Sequence, residues 1–464
     1  MLKILFLFLM ASGLPVAIAM AGASLVYILW TGNLPGVAVI HRMIGGIDSF
    51  PLLAVPFFIL AGNLMNNAGI TNRIYNYALA LVGWLKGGLG HVNVVGSVIF
   101  AGMSGTAIAD AAGLGTIEIK AMKDHGYDLE FAVGVTAASA TLGPIIPPSL
   151  PFVIYAMMAN VSVGALFLAG ILPGLLMALL MMLTVAYFAH KNGWGGDVKF
   201  EWPRVSKALI ETAVVIVWPL AVWGAVQAGT QPQLTVFVAL VVLFAADRYF
   251  NFQAVLPIMT PVLLIGGMTT GLFTPTEGAI AACVWAMVLG LAWYRTLSWK
   301  MFVKVCLDTV ETTSTVMFIV AAASIFGWML TATGVTAAIA EWVLGVTKEP
   351  WIFLLLANVL MLFVGCFLEP TAAITILVPI LLPIARQLGV DPVHFGLVMV
   401  LNLMIGLLHP PMGMVLFVLA RVAKLSVERT TAAILPWLVP LLISLVILTY
   451  VPAISLWLPR MMGM

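Results

Sequence analysis

The sequence predicts an all-α polytopic membrane protein, with roughly eleven or twelve transmembrane spans of about 20 residues each in two internal repeats. Each repeat is expected to hold a re-entrant helical hairpin and a helix broken at Pro-Pro. Three observations carry this. Of 464 residues, 63% are hydrophobic and 8% charged, whereas a soluble domain carries about 25% charged residues and needs polar cover for its surface. The apolar residues come in long runs, at 4–29, 165–189, 208–226 and 435–451, which reach or approach bilayer-spanning length. Glycines and prolines then recur in one order along both halves.

Taken in order, residues 4–30 read as a retained first span, because the apolar run is too long for a signal-peptide core and carries only Lys3 before it. Spans near 51–69 and 73–86 follow. Residues 90–122 are too many for one crossing and enclose the polar, glycine-rich Gly102-Met-Ser-Gly-Thr106, so two half-length helices meeting there are expected to form a hairpin that enters and leaves by one face. A helix at 131–160 is broken by its prolines, and a span at 164–190 ends the first repeat, residues 1–194. The gap 190–207 holds Lys191, Lys199, Arg204 and Lys207, which points to the cytoplasm. It opens a linker region, 195–255, with helices near 206–227 and 233–247. The second repeat, 256–464, holds an interrupted segment at 256–294, a helix at 301–330, a hairpin at 352–388, a broken helix at 393–420 and a last span at 430–458. Cys283, Cys306 and Cys366 sit inside apolar stretches without ligand spacing and read as small core residues.

The repeat is read from registered pairs. Gly62 and Gly327 differ by 265 positions, as do Gly69 and Gly334, and Thr106-Ala107 and Thr371-Ala372. Gly143 and Gly406, Pro147-Pro148 and Pro410-Pro411, and Ile171-Leu172-Pro173 and Ile434-Leu435-Pro436 share an offset of 263. One two-residue gap reconciles the series, and Asn402 then falls opposite Ser139. The copies are expected to be inverted in the membrane, which the number of linker crossings decides. Discontinuous helices at matching places point to a transporter's binding site near mid-membrane.

The candidate chemistry lies at those interruptions. In Gly143-Pro-Ile-Ile-Pro-Pro-Ser149 three prolines rule out a continuous helix. Freed carbonyls cost several kcal/mol in hydrocarbon (~2–7 kcal/mol each), so Pro147, Pro148 and Ser149 are expected to line a cavity, where carbonyls suit a hard cation such as Na⁺. Gly406-Leu-Leu-His-Pro-Pro-Met-Gly413 repeats the arrangement with Pro410 and Pro411. The tips Ser104-Gly105-Thr106 and Glu369-Pro-Thr371-Ala, the latter preceded by Gly365, supply hydroxyls and bare amides open to close approach. Helix N-termini there favour a carboxylate substrate. Ionisable residues in apolar runs are functional candidates: Asp110, Glu118, Glu277, Glu311 and Glu369. Glu277, in Thr274-Pro-Thr-Glu277, fits a helix cap equally well. His409, in the second break, is a ligand candidate or a packing histidine. Ser139, Gly327 and Asn402 complete the candidate set, and Asn63 and Asn402 require hydrogen-bond partners.

Enzyme signatures are lacking in the sequence. The six histidines are scattered without metal spacing, and no phosphate-binding loop supports ATP hydrolysis. A net charge of +2 without a basic cluster gives no reason to expect nucleic acid. No resident cofactor is expected; the lipid bilayer and a small organic solute are the expected partners. A channel would need a continuous polar pore, which broken helices at mid-membrane fit less well than a closed site.

Gly88-Leu-Gly-His-Val-Asn followed by Ala101-Gly-Met-Ser-Gly-Thr-Ala-Ile-Ala-Asp-Ala-Ala-Gly-Leu-Gly115 resembles the large membrane subunit (DctM-type permease) of tripartite ATP-independent periplasmic (TRAP) transporters. So do Gly143-Pro-Ile-Ile-Pro-Pro-Ser149, Gly271-Leu-Phe-Thr-Pro-Thr-Glu-Gly-Ala279, Leu382-Pro-Ile and Asp391-Pro-Val-His-Phe395. The likeness spans nearly the whole chain. It implies an elevator-type carrier of the ion-transporter superfamily, in a bacterial or archaeal cytoplasmic membrane. Such a carrier uses a Na⁺ gradient to import small organic acids with a periplasmic substrate-binding protein and a small membrane subunit of about four helices. It implies an ion and substrate region at Ser104, Thr106, Gly365, Glu369 and Thr371, with Na⁺ near Ser104, Thr106, Gly365 and Thr371, and unwound helices at Pro147, Pro148, Pro410 and Pro411. The second break reads His-Pro-Pro-Met where Thr-Pro-Pro-Val is more usual in the family. A one-component Na⁺- or H⁺-coupled dicarboxylate symporter or antiporter is the alternative of similar architecture.

Overall fold

Helix boundaries in this chain fall where glycine or proline leaves a main-chain group without a helical partner. The computed structural model describes residues 2–32, 35–228, 230–250, 252, 254–269, 273–410 and 413–464. Among these, β-type pairing is limited to one isolated bridge between Lys86 and Gly196, so the molecule is all-helical as expected. Six of the described helices are long and apolar enough to cross a membrane. The other expected crossings are assembled from shorter apolar helices, a consequence of the interruptions.

Pairs of shorter helices lie at the positions expected for the two hairpins and the two broken helices. The first hairpin runs up through Gly88–Ser104, turns at Gly105 and Thr106, and returns through Ala107–Ala112 and Leu114–Asp124. Leu129–Ala140 and Leu150–Ala159 are the halves of the first broken helix. In the second half, Pro350–Gly365 and Pro370–Gln387 make the hairpin, and Pro392–Gly406 and Met414–Ala423 the broken helix. The expected interruption within 256–294 separates Val255–Thr269 from Pro275–Met287. Leu129–Ala140 is buried from Phe131 onward and Pro392–Gly406 from His394 onward. That is how helices apolar on every side behave at the centre of a bundle. The long helices Val163–Asn192 and Val427–Tyr450 pack around these pieces, and one continuous core joins them.

The structure corrects four boundaries. The expected span 4–30 is two helices, Leu2–Ala11 and Val16–Thr31, packed on each other. The chain turns between them at Gly13, with φ +85°, just before Pro15. The 430–458 run is likewise split, at Pro452, into Val427–Tyr450 and Pro452–Met461. Val37–Ile47 and Val335–Val346 are additional short helices. They were illegible as spans because neither reaches membrane-crossing length. Trp202–Gln227, in the linker, is by contrast mostly unburied within the chain, an apolar surface suited to lipid.

Three ties fix the outer ends of the core. Asp197, after the long helix, takes hydrogen bonds from the Leu89 amide (2.8 Å) and the Tyr127 hydroxyl (2.6 Å), so the loop beyond Val163–Asn192 caps the first hairpin. Burial, followed by the Asp197 carboxylate, lifts the Tyr127 phenol above its ordinary range. Arg386, at the end of the second hairpin, donates to the Ala159 carbonyl (2.7 Å), closing the C-terminus of the first broken helix. Tyr155, fully buried, donates to the Pro392 carbonyl (2.7 Å) across the halves. Tyr155→Phe removes that donor and leaves the ring in place. It is expected to cost about 1 kcal/mol, read as a lower unfolding temperature of the purified chain.

Candidate functional site

The first hairpin tip is built by backbone constraints. Gly105 ends the ascending helix in the left-handed conformation, φ +64°, which glycine adopts without strain. Thr106 then caps Ala107–Ala112, its hydroxyl accepting from the Ala109 amide (3.3 Å). The tip is pressed against the first break. A Cβ on Gly105 would lie 2.7 Å from the Pro148 carbonyl oxygen, and one on Gly143 would lie 3.0 Å from the Thr106 carbonyl oxygen. Ser149 caps the second half of the broken helix through the Phe152 amide (3.3 Å), and its hydroxyl also donates to the Pro144 carbonyl. The peptide bond Pro147–Pro148 is cis. Behind the tip, the Ser104 backbone lies against Gly62, and the Ser104 hydroxyl is buried without a hydrogen-bond partner among the described residues. Sequence reading named Ser104, Gly105, Thr106, Pro147, Pro148 and Ser149, and the structure gathers them at one junction.

The second tip meets its break in a close main-chain contact. A Cβ on Gly406 would stand 2.7 Å from the Gly365 Cα and 2.8 Å from its carbonyl oxygen. Glu369 caps Pro370–Gln387, accepting from the Ala372 amide (3.2 Å) and the Thr371 hydroxyl (2.7 Å). A negative cap at a helix N-terminus is electrostatically favourable, and it leaves both residues engaged with each other. Pro410 is exposed. Pro411 lies outside the described residues, as does Gly271-Leu272 of the resemblance motif. The His409 ring contacts the Ile405 carbonyl one turn back (3.0 Å).

Each hairpin is clamped to its broken helix by a buried asparagine. In the first half, Ser139 donates to Asn93 Oδ1 (2.7 Å), while the Asn93 amide donates to Thr136 (2.8 Å) and to Glu118 Oε2 (2.6 Å). In the second, the Asn402 amide donates to Asn358 Oδ1 (2.8 Å), and the Asn358 amide to Thr449 (2.9 Å). Ser139 and Asn402 were named from the sequence; Asn93 and Asn358 were missed. The signal was present: 93 plus 265 is 358, and both positions are asparagine. The Asn402 carbonyl oxygen is buried and has no partner among the described residues. Its neighbour Leu403 lies against Gly365.

Other candidates stand apart from these junctions. Gly327 meets Pro379, nine residues or about 14 Å of helix from Pro370. Glu277 is exposed and closes a capping box with Thr274, whose amide and hydroxyl both bond its carboxylate (2.7 and 2.9 Å). This is the capping alternative of the sequence reading. Glu311 is exposed. Asn63 finds Thr309 (3.1 Å). Asp110 and Glu118 are fully buried.

Comparison with known proteins places these features in a family. The family model for the tripartite ATP-independent periplasmic transporter, DctM component, matches residues 3–454. The chain is 40% identical over 454 residues to a sialic acid TRAP transporter large permease protein of Vibrio cholerae, covering 98% of this chain and 96% of that one. It is 33% identical over 477 residues to the C4-dicarboxylate TRAP transporter large permease protein of Rhodobacter capsulatus, covering 99% and 98%. In fold it is similar to the YdaH transporter of Alcanivorax borkumensis, with a TM-score of 0.58 at 13% identity over 91% of this chain and 90% of that one. These relatives in sequence are transporter permease subunits and not enzymes. With its apolar helices, its tips seated on broken helices and this match along nearly its whole length, the chain belongs to the DctM family of TRAP transporter large permease components.

Proposed function

We propose that this chain is the translocating subunit of a Na⁺-coupled importer of small organic acids. It would work in a bacterial inner membrane with a periplasmic binding protein and a small membrane subunit of about four helices. The relatives named for sialic acid and for C4-dicarboxylates share a carboxylate as the common substrate group. They also make the one-component alternative the weaker reading.

The observation that carries Na⁺ coupling is the pair of stranded oxygens. Ser104 Oγ at the first tip and Asn402 Oδ1, in the helix that runs into the second break, are buried and find no partner among the described residues. An unsatisfied buried oxygen costs about 1–3 kcal/mol, and a hard, oxygen-seeking cation removes that cost. The residues that fit such an ion are Ser104 with the break at 141–149, and Asn402 with Gly365 and the break after Gly406. Thr106 and Thr371 stand close by with their hydroxyls already used as cap and cap partner. Without the ion the tips lack counter-charge, so solute binding would follow ion binding. The two asparagine clamps, at equal offsets, support reading the halves as repeats. They also support treating the hairpins and broken helices as a body that moves, elevator-fashion, against the remaining helices.

The test is uptake of a labelled carboxylate, sialic acid or succinate, into proteoliposomes holding this chain and its small partner. It is run with and without a Na⁺ gradient, adding the cognate binding protein last. Uptake should require both. Robust uptake without a binding protein would instead support a one-component carrier. Ser104→Ala is expected to raise the Na⁺ concentration for half-maximal uptake severalfold; an unchanged value would remove Ser104 from the ion site.

A further inference from the structure

The two halves build the same clamp with different company. Asn358 and Asn402 join the second hairpin to its broken helix among neutral residues, whereas the first clamp holds a carboxylate, Glu118, and has a second, Asp110, close by. Under the offset of 265, Asp110 falls on Thr375 and Glu118 on Pro383. The second half therefore shows that the clamp forms without an acid. Burying a carboxylate without a cationic partner is costly, so the first half bears a cost that the architecture does not demand.

Glu118 is 1% exposed; its Oε2 accepts from Asn93, and its Oε1 is buried without a partner among the described residues. Room for that oxygen comes from Gly96, where a Cβ would lie 2.9 Å from Glu118 Oε1. Asp110 Oδ2 is likewise buried and unpartnered. Among the described residues, the helices packed around Leu114–Asp124 bring no cation into an ion pair with Glu118. Asp110 and Tyr75 are the titratable groups that act on the Glu118 carboxyl. Arg73 stacks over the Tyr294 ring, Glu130 pairs with Arg429 at the surface, Arg421 is exposed, and His91 is directed to the backbone at Lys86. On its own helix Lys120, Lys123 and Asp124 are exposed. Six residues, about 9 Å of helix, separate Glu118 from the exposed end at Asp124.

We propose that Glu118 is a proton-binding site built into the first hairpin, exchanging its proton with water at the Lys120–Asp124 end, and that its occupancy sets how firmly the hairpin holds the first broken helix. Two acids and no cation fit a proton, which needs no ligand shell, better than a metal ion. With the proton on, the region is neutral and the Asn93 bond is an ordinary one. With the proton off, that bond is charge-assisted and stronger, the anion faces Asp110, and the clamp tightens onto Ser139 and Thr136. The site itself does not depend on the Na⁺-coupled reading above; only the link from clamp to transport rests on it.

The experiment is infrared spectroscopy of the full chain in lipid bilayers, following the C=O stretch of protonated carboxyls from mildly acid to mildly alkaline pH. The wild type should show a band that fades as pH rises. Glu118→Gln, which keeps the shape and the Asn93 contact, should lack that component, and Asp110→Asn should retain it. In proteoliposomes with the small subunit, Glu118→Gln should also flatten the pH dependence of labelled sialic acid or succinate uptake. Loss of uptake under every condition would count against the transport reading and leave the spectra standing. Three results would overturn the proposal: a band that never fades and vanishes in Glu118→Gln, marking a permanently neutral structural acid; no band at any pH; or a fading band lost in Asp110→Asn and kept in Glu118→Gln. If Glu118→Gln fails to fold, the wild-type and Asp110→Asn spectra still decide between these.

Discussion

Replacing Gly105 with alanine is expected to reduce uptake to background while the protein still inserts in the membrane. Two costs coincide at this residue. Its φ of +64° is a conformation that a side chain disfavours by roughly 1–2 kcal/mol. The added Cβ would also lie 2.7 Å from the Pro148 carbonyl oxygen, inside any normal contact. That oxygen belongs to the main chain of a proline-rich break, so it has no rotamer by which to give way, and overpacking a tight contact adds about 1–3 kcal/mol. The tip and the break must part by some tenths of an ångström, which separates the elements gathered around Ser104. Gly389→Ala is the matched control. Gly389 has φ +76° with open space around its Cα, so it carries the conformational cost alone. Uptake per membrane-inserted molecule should be near background for Gly105→Ala and close to wild type for Gly389→Ala. Equal rates for the two variants would mean that tip and break do not need to touch.

The second large effect is expected at Asn93. Asn93→Leu strands a buried Glu118 carboxylate oxygen and takes one bond each from the buried Thr136 and Ser139 hydroxyls, which keep their bonds to the Ala132 (2.8 Å) and Thr136 (3.2 Å) carbonyls. An unsatisfied buried group costs about 1–3 kcal/mol, and more when charged, so the stranded carboxylate oxygen alone should take a sizeable part of a typical stability margin of about 5–15 kcal/mol. Asn358→Leu takes one bond each from two neutral groups, the Asn402 amide, which keeps its bond to the Asn358 backbone carbonyl (3.2 Å), and the Thr449 hydroxyl. The Thr449 hydroxyl keeps its bond to the Leu445 carbonyl (2.7 Å), which softens the loss. Thermal unfolding of the purified variants should therefore rank Asn93→Leu well below Asn358→Leu, with Asn358→Leu below wild type. Indistinguishable melting would show that the carboxylate contributes nothing to the first clamp.

These two expectations also mark what sequence could and could not reveal. The breaks and tips were legible because proline and glycine act locally: three prolines in seven residues end a helix whatever surrounds them. The pairing of Gly105 with Pro148, or of Gly365 with Gly406, depends on tertiary packing that no local signal encodes. Asn93 was overlooked because one asparagine in an apolar run announces a need for a partner without naming it. Only the offset to Asn358 exposes its role. The division of 4–30 into two helices was missed for the opposite reason: hydrophobic length dominated the reading, although Gly13 and Pro15 already stood in the sequence as a turn. Glu277 was ambiguous because a capping carboxylate and a functional one share the same residue type, and only its exposure and capping box separate them.

The Gly365–Gly406 contact joins two stretches of bare main chain. Peptide groups are common to every amino-acid sequence, so a seat made from them is indifferent to drift in the side chains nearby, provided the two glycines stay. Side chains around this joint can therefore change without disturbing it, while either glycine's replacement would push the two elements apart.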